Sequence, residues 1–316
     1  MPEIRSDFLC FTKVGLYCPY GDFYLDPEMP VHTAVISHAH GDHARPDHTH
    51  VYATAPTLAF MKHRFGKRAY RHAHTYDYQE HFELGGVSIR FVSAGHILGS
   101  AQICMEYEGV RYVYTGDYKL QVDATCAPFE SVQADVLITE STFANPDLKH
   151  PDPVKEILKL KDKESNILLG AYSLGKAQRL TYLLNRYCPE KTLWVHHAIL
   201  GFHKLYQQYG DTALTYQPYH RKALKLNLTG QVYLIPPSTF RYYIRAKNVL
   251  RVFASGWPNL HHQNDLSLYI SDHVDWTEIL ETIALSEAQE VWTLHGDGRA
   301  LEKHFTGTSI RVKRLN

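Results

Sequence analysis

The sequence has no surplus of either charge: 33 lysines and arginines face 33 aspartates and glutamates. A chain without net charge carries no whole-surface field pointing to nucleic acid, a membrane or an acidic substrate, so any electrostatic preference has to be local. Nor does any apolar run approach the ~20 residues of a membrane span, and the charged start, with Glu3, Arg5 and Asp7, is not followed by an apolar signal segment. The expectation is a soluble, cytoplasmic protein that meets no membrane. Cysteine is scarce as well. Cys10, Cys18, Cys104, Cys126 and Cys188 are odd in number, widely spaced and without a C-x-x-C pair. That argues against a disulfide framework or a thiolate zinc site, and for free thiols in a reducing compartment.

What is abundant is histidine, at 21 residues, beside 22 tyrosines. Histidine is the commonest metal ligand and a versatile acid and base. The 316 residues, 44% of them hydrophobic, are enough for one large domain or two ordinary ones. Short β-type runs recur and end on a polar residue: 31–37 before His38, 87–92 before His96, 111–114 before Asp117, and 135–139 before Glu140. Runs 267–270 and 291–294 likewise precede His273 and His295. Strand ends that each deliver a histidine or carboxylate imply sheets whose edges converge on one cleft.

Helices alternate with these strands, which indicates an α/β protein. The clearest spans 275–284, with Asp275 as N-cap, Glu278 completing a capping box, and Trp276, Ile279, Leu280 and Ile283 as one apolar stripe. A second begins near Lys176, with Leu180, Leu183, Leu184 and Tyr187 on one face. Between about Pro146 and Val252 the clustered ligand candidates pause, and they resume at His273 and His295. The simplest organisation is a host domain of residues 1–146 and 253–316 with residues 147–252 inserted into one of its loops.

The chemistry concentrates in His38-Ala39-His40-Gly41-Asp42-His43. At a strand end, positions i and i+2 point the same way, so His38 and His40 can share one metal ion. A following turn, eased by the small Gly41, would aim Asp42 and His43 at a second ion. Two ions need further ligands, one of them a shared carboxylate, and His96, Asp117 and His295 each stand just past a strand. Singly these are weak signals: Asp117 is equally a turn residue after Gly116, and His295 equally a core histidine.

The segments Phe23-Tyr24-Leu25-Asp26-Pro27, His38 to His43, Ser93-Ala94-Gly95-His96, Thr115-Gly116-Asp117, Thr139-Glu140-Ser141-Thr142, Ser271-Asp272-His273 and Leu294-His295-Gly296-Asp297 resemble the successive motifs of the β-CASP branch of the metallo-β-lactamase superfamily. More narrowly, Gly15-Leu16-Tyr17-Cys18-Pro19, Val35-Ile36-Ser37 before the histidine run, and Ala171-Tyr172-Ser173-Leu174-Gly175-Lys176-Ala177-Gln178 resemble bacterial ligase-associated DNA exonucleases. The resemblance implies an αββα sandwich with a β-CASP α/β domain inserted and a nucleic-acid strand in the cleft between them. It implies that His38, His40 and His96 hold one divalent ion and Asp42, His43 and His295 the other, with Asp117 bridging; Zn2+ is the first expectation and Mn2+ the second. Asp26 would orient a ligand histidine, although a turn aspartate before Pro27 reads equally well.

Two metal ions lower the pKa of water from 15.7 to about 7, so the implied reaction is attack of an activated hydroxide on phosphorus. The leaving oxygen needs a proton, for which His273 is the candidate, with Glu140 holding its imidazole charged and oriented. The plainer readings are a helix-start turn for 271–273 and a partner of a backbone amide for Glu140. At Ser173, Gly175 and Lys176 a strand-loop-helix turn suits a substrate phosphate, unless Ser173 is simply an N-cap. Residues 62–71 and 241–247 interleave aromatics with cations and suit a nucleic-acid strand or, equally, a solvated surface.

The functional expectation is a metal-dependent DNA exonuclease of repair, acting on single-stranded or end-processed DNA with a DNA ligase or helicase as partner. The alternatives are an RNA-processing nuclease of the RNase J or cleavage-and-polyadenylation type, a small-ester or lactone hydrolase, and an inactive nucleic-acid-binding module. The inserted domain counts against the hydrolase of small esters. The full ligand set counts against the inactive module.

Overall fold

A computed structural model describes residues 2–219, 229–243, 248–257 and 264–315. The chain divides into two compact units, one of residues 1–122, 126–149 and 273–316, the other of residues 123–125 and 150–272.

The first unit contains two mixed sheets. One orders Cys10–Thr12, Gly15–Cys18, Phe23–Leu25, Thr33–Val35, His48–Ala53 and Tyr70–Thr75; from Phe23–Leu25 onward its neighbours run parallel. The other orders Arg311–Arg314, Glu290–Leu294, Val136–Glu140, Val110–Tyr114, Ala101–Tyr107, Val87–Ser93 and His81–Leu84. Successive strand residues point to opposite faces, and here both faces are buried. Phe91, Tyr112, Ile138 and Trp292 pack with Phe23, Leu25 and Val35 of the first sheet into one core. Their sequence neighbours Val92, Val113, Leu137 and Val291 pack on Ile279 and Ile283 of helix Trp276–Ser286. On the first sheet, Ala34, Val51 and Ala53 pack on Leu58 and Met61 of helix Ala55–Phe65. The layers are therefore helix, sheet, sheet, helix, the expected αββα sandwich. Double-sided burial, at roughly 1.5–3 kcal/mol per large apolar side chain, is also why these strands read as unbroken apolar runs.

Helix Trp276–Ser286 begins as its sequence predicts. Glu278 N–H donates to Asp275 Oδ1 at 3.1 Å and Asp275 N–H donates to Glu278 Oε2 at 3.0 Å, a reciprocal cap whose loss costs about 1 kcal/mol.

The second unit is a wholly parallel sheet in the order Gln217–Pro218, Leu193–Val195, Val232–Ile235, Asn166–Gly170, Val249–Ala254 and Leu266–Leu268. Leu169, Val195 and Val252 pack on Leu180, Leu184 and Ile199 of helices Lys176–Tyr187 and His197–Tyr209, while Leu168, Tyr233 and Phe253 pack on Phe240. This corrects the expected boundary. The inserted unit runs to Asp272 rather than 252, because Val249–Ala254 and Leu266–Leu268 extend its sheet in register.

Candidate metal centre

Each ligand candidate of the first unit leaves a strand end, and two glycines set the approach. Gly116 has φ +55°, and a Cβ there would stand 2.7 Å from Ser37 Cβ; Gly95 has φ +68° and a Cβ would meet the Lys119 carbonyl at 2.4 Å. Only glycine satisfies both the left-handed backbone and the close approach. Each is followed at once by a ligand candidate, Asp117 and His96. Gly41 differs from the expectation. Its φ is not positive, and a Cβ would have only Arg64 Nη1, at 3.8 Å, nearby; the turn does not depend on its lack of a side chain.

The side chains converge on one oxygen. Asp117 Oδ2 lies 3.4 Å from His43 Nε2, 3.5 Å from His38 Nε2, 3.8 Å from His96 Nε2 and 3.9 Å from His273 Nδ1. His96 Nε2 is 3.0 Å from His40 Nδ1. His38, His40, His96 and Asp117 thus form one group able to surround a cation. Around a tetrahedral ion with ~2.0–2.2 Å bonds, neighbouring ligand atoms stand about 3.4 Å apart, close to the spacings found. The second expected set is looser. His43 is buried beside Asp117, but Asp42 Oδ2 is 4.0 Å from His43 Nε2 on a 78% exposed side chain, and the exposed His295 ring is centred 5.0 Å from that of His43.

The hydrogen bonds select the tautomer that a metal requires. Asp26 Oδ2 accepts from His43 Nδ1 at 2.8 Å, from Tyr114 Oη at 3.0 Å and from Ser37 Oγ, while Asp26 Oδ1 accepts from Ser37 N–H at 2.7 Å. Having given its only proton to Asp26, Ser37 Oγ accepts from His38 Nδ1 at 3.0 Å. His38 Nε2 is then a bare lone pair, buried and without a hydrogen-bond partner. An orphaned buried acceptor costs about 1–3 kcal/mol; a cation facing Asp117 is the partner that fits it. Burial, and then His43, push His38 well below the ordinary histidine range. Against the same burial, Asp117 and then Asp26 hold His43 well above it. The residues present therefore fit divalent ions.

Asp26 is both a turn residue, at φ +42°, and the acceptor of the His43 Nδ1 hydrogen bond. Glu140 accepts from Tyr118 N–H at 3.0 Å and from His273 Nδ1 at 2.9 Å. His273 is half-buried. Residues to which the sequence assigned no role complete the support. Ser37 and Tyr114 hold Asp26, and buried Lys119 donates from Nζ to the His96 carbonyl at 3.1 Å. The sole available signal for Lys119 was its place two residues after Asp117.

In the second unit, Lys176 is 3% exposed and its ammonium is taken up internally, 2.5 Å from the Ile270 carbonyl and 3.0 Å from Asp272 Oδ1. Gly175 N–H donates to Gln178 Oε1 at 2.7 Å and the Ser173 carbonyl accepts from Gln178 Nε2 at 3.0 Å. This turn is tied to its own unit, and the structure gives no support to its reading as a phosphate site. Of the two aromatic and basic stretches, 62–71 crosses helix Ala55–Phe65 into strand Tyr70–Thr75, and residues 244–247 of the other lie outside the described residues.

The fold and the convergent ligands define a metal-binding hydrolase scaffold. Residues 24–196 match the beta-lactamase superfamily domain, and the chain belongs to that superfamily. Among curated proteins it is 29% identical over 300 residues to a probable DNA ligase of Opitutus terrae, which covers 89% of this chain and 28% of that protein. It is 29% identical to an RNase J-like protein of Methanocaldococcus jannaschii, over 51% of this chain and 45% of that one, and 30% identical to the endoribonuclease YSH1 of Saccharomyces cerevisiae, over 39% and 16%. These relatives are consistent with the β-CASP nuclease branch, and the chain spans less than half the length of each. A crystal structure of an Enterococcus faecalis protein of unknown function superposes with TM-score 0.60 at 14% identity, covering 90% of this chain and 79% of that chain, a likeness of fold alone. Among the described residues no helix is long and apolar enough to cross a membrane.

Proposed function

We propose that this protein is a metal-dependent nucleic-acid phosphodiesterase and, more narrowly, a DNA exonuclease of repair acting in the cytoplasm. The observation that carries the reading is the convergence of His38, His43, His96 and His273 on Asp117 Oδ2. His38, His40 and His96 would hold one divalent ion and Asp42, His43 and His295 a second, with Asp117 between them; Zn2+ suits this imidazole-rich set and Mn2+ is the alternative. When bound, such ions supply Lewis acidity, acidifying water and offsetting the charge that gathers on phosphoryl oxygens.

The chain's own residues do the rest. Asp26 fixes His43 so that Nε2 faces the centre, and Ser37 does the same for His38. Glu140, bonded to His273 Nδ1, leaves Nε2 of that half-buried ring as the atom that can pass a proton to a leaving oxygen.

DNA is favoured over RNA because the alignment with the relative named as a DNA ligase covers 89% of the chain, whereas the RNase J-like and YSH1 alignments cover 51% and 39%. A ligase or helicase is accordingly the partner to test. The deciding experiment incubates end-labelled single-stranded DNA and RNA of one sequence with the protein, with and without chelator, beside Asp42→Ala. Chelator-sensitive shortening of DNA from one end is expected. Equal cleavage by the variant would remove the site, and cleavage of RNA alone would remove the substrate.

A further inference from the structure

Four histidines meet at the other end of the strand that delivers His38. Strand Thr33–Val35 carries His38 beyond its C-terminal end, while His32 precedes its N-terminal end. Six residues of extended chain, at about 3.3 Å each, put the two ends up to ~20 Å apart. The parallel register places Thr33 beside His50, His50 beside His72, and Tyr52 beside His74. The rings of His32, His72 and His74 are centred 5.1, 4.9 and 5.3 Å from that of His50, and His50 Nδ1 lies 3.0 Å from His74 Nε2. His50 and His74 are half-buried; His32 and His72 are exposed.

A hydrogen bond between two imidazoles needs one nitrogen to carry a proton and the other to be bare, so one ring of the His50–His74 pair presents a lone pair to its neighbour. Burial, followed by the three neighbouring rings, lowers the pKa of His50. Four imidazole rings packed this closely bring ring nitrogens within reach of one another, and a metal ion converts that crowding into bonds. Ligand sets made of imidazole suit Zn2+, Cu2+ and Ni2+, whereas Mg2+ and Ca2+ prefer oxygen.

We infer that His50 and His74, with His72 as third ligand, form a transition-metal site separate from the catalytic candidate. The His50–His74 pair is already within ligand spacing. His72, stacked on His50 at 22° between planes, turns its exposed ring to present a nitrogen. The bound ion would cross-link the edge strand Tyr70–Thr75 to His48–Ala53, its neighbour in the sheet.

The test is equilibrium dialysis of the full chain against Ni2+, with metal counted per chain, for four proteins: the parent, His50→Gln/His74→Gln, His72→Ala, and His38→Gln/His40→Gln. The parent is expected to hold one ion more than His50→Gln/His74→Gln, and His38→Gln/His40→Gln to keep that ion. With Cu2+ on His38→Gln/His40→Gln, the electron paramagnetic resonance spectrum should show hyperfine splitting from imidazole nitrogens. If the double variant at the cluster does not fold, His72→Ala at an exposed position carries the test, with Ni2+ affinity at this site falling about tenfold. Equal stoichiometry and affinity in the parent and the folded cluster variants would overturn the proposal.

Discussion

The two halves of the proposed metal centre differ in how much of their geometry exists before any ion arrives. Of the first ion's set, His38, His96 and the shared Asp117 are at most 5% exposed and His40 is half-buried, with Ser37 holding His38 and Lys119 the His96 backbone; of the second set only His43 is buried, held by Asp26. Asp42 and His295 stand in solvent at the rim. A sealed, hydrogen-bonded ligand set loses little side-chain freedom on binding, whereas a rim ligand has to be ordered by the ion itself. The difference teaches that the two ions would be held unequally, with the rim ion the weaker.

Removing Asp117 is the largest way to break that contrast, because its Oδ2 belongs to both halves. Asp117→Ala should lose both ions and lower nuclease activity by about 10³-fold or more, several kcal/mol at about 1.4 kcal/mol per factor of ten. Asp42→Ala should lose one ion and keep the other, and a chelator titration of the parent should show two steps with the rim ion leaving first. Metal counting by elemental analysis reads both; simultaneous loss of both ions in Asp42→Ala would mean the halves are not independent.

A second buried histidine sharpens what is special about His38. His203, in the other unit, has both nitrogens satisfied, by Gln178 Nε2 at 2.9 Å and Thr181 Oγ1 at 2.8 Å. It is a structural histidine, and burial pushes its pKa down to about 4. As pH falls below the ordinary 6.5, the unfolded chain takes up a proton that the folded chain refuses until about pH 4. The stabilisation is complete above pH 6.5 and is lost as pH falls through that window, about 3 kcal/mol in all at about 1.4 kcal/mol per pH unit. Urea unfolding of the parent and His203→Gln should show their stability gap shrinking by that amount between pH 7 and pH 4. A gap independent of pH would refute the neutral, buried state.

Much of this fold was legible because it is local. Strands buried on both faces are apolar runs, and the Asp275–Glu278 cap is a four-residue pattern. The ligand candidates stood out for the same reason, each closing a run. What was not legible depends on pairing across the chain. From sequence Lys176 reads as a phosphate ligand, whereas Asp272, 96 residues later, stands beside it, and the insert's edge strand Leu266–Leu268 reads as host because it joins the sheet through Val249–Ala254, whose own partner Asn166–Gly170 lies far back in sequence. Tyr114 is an ordinary strand tyrosine until folding sets its hydroxyl against Asp26. The two glycines in the ligand motifs divide in the same way. Gly116→Ala should cost about 2–4 kcal/mol, from the left-handed backbone and the 2.7 Å approach to Ser37. By displacing Asp117 it should also lower activity about 10²-fold, which thermal unfolding and single-turnover cleavage would measure.

Gly41 supplies the smallest effect and the strictest check on the contrast between the halves. It lies within the histidine motif, where from sequence its small size reads as easing the turn. In the structure its φ is not positive, and the nearest atom to an added Cβ is Nη1 of Arg64, at 3.8 Å, an ordinary van der Waals distance. That guanidinium donates to the Ala39 carbonyl at 2.7 Å and need not move. Gly41→Ala should therefore leave stability within about 0.5 kcal/mol, and activity within about twofold, of the parent. A loss as large as that of Gly116→Ala would show that the open half is as tightly built as the sealed one, contrary to the exposure of Asp42 beside it.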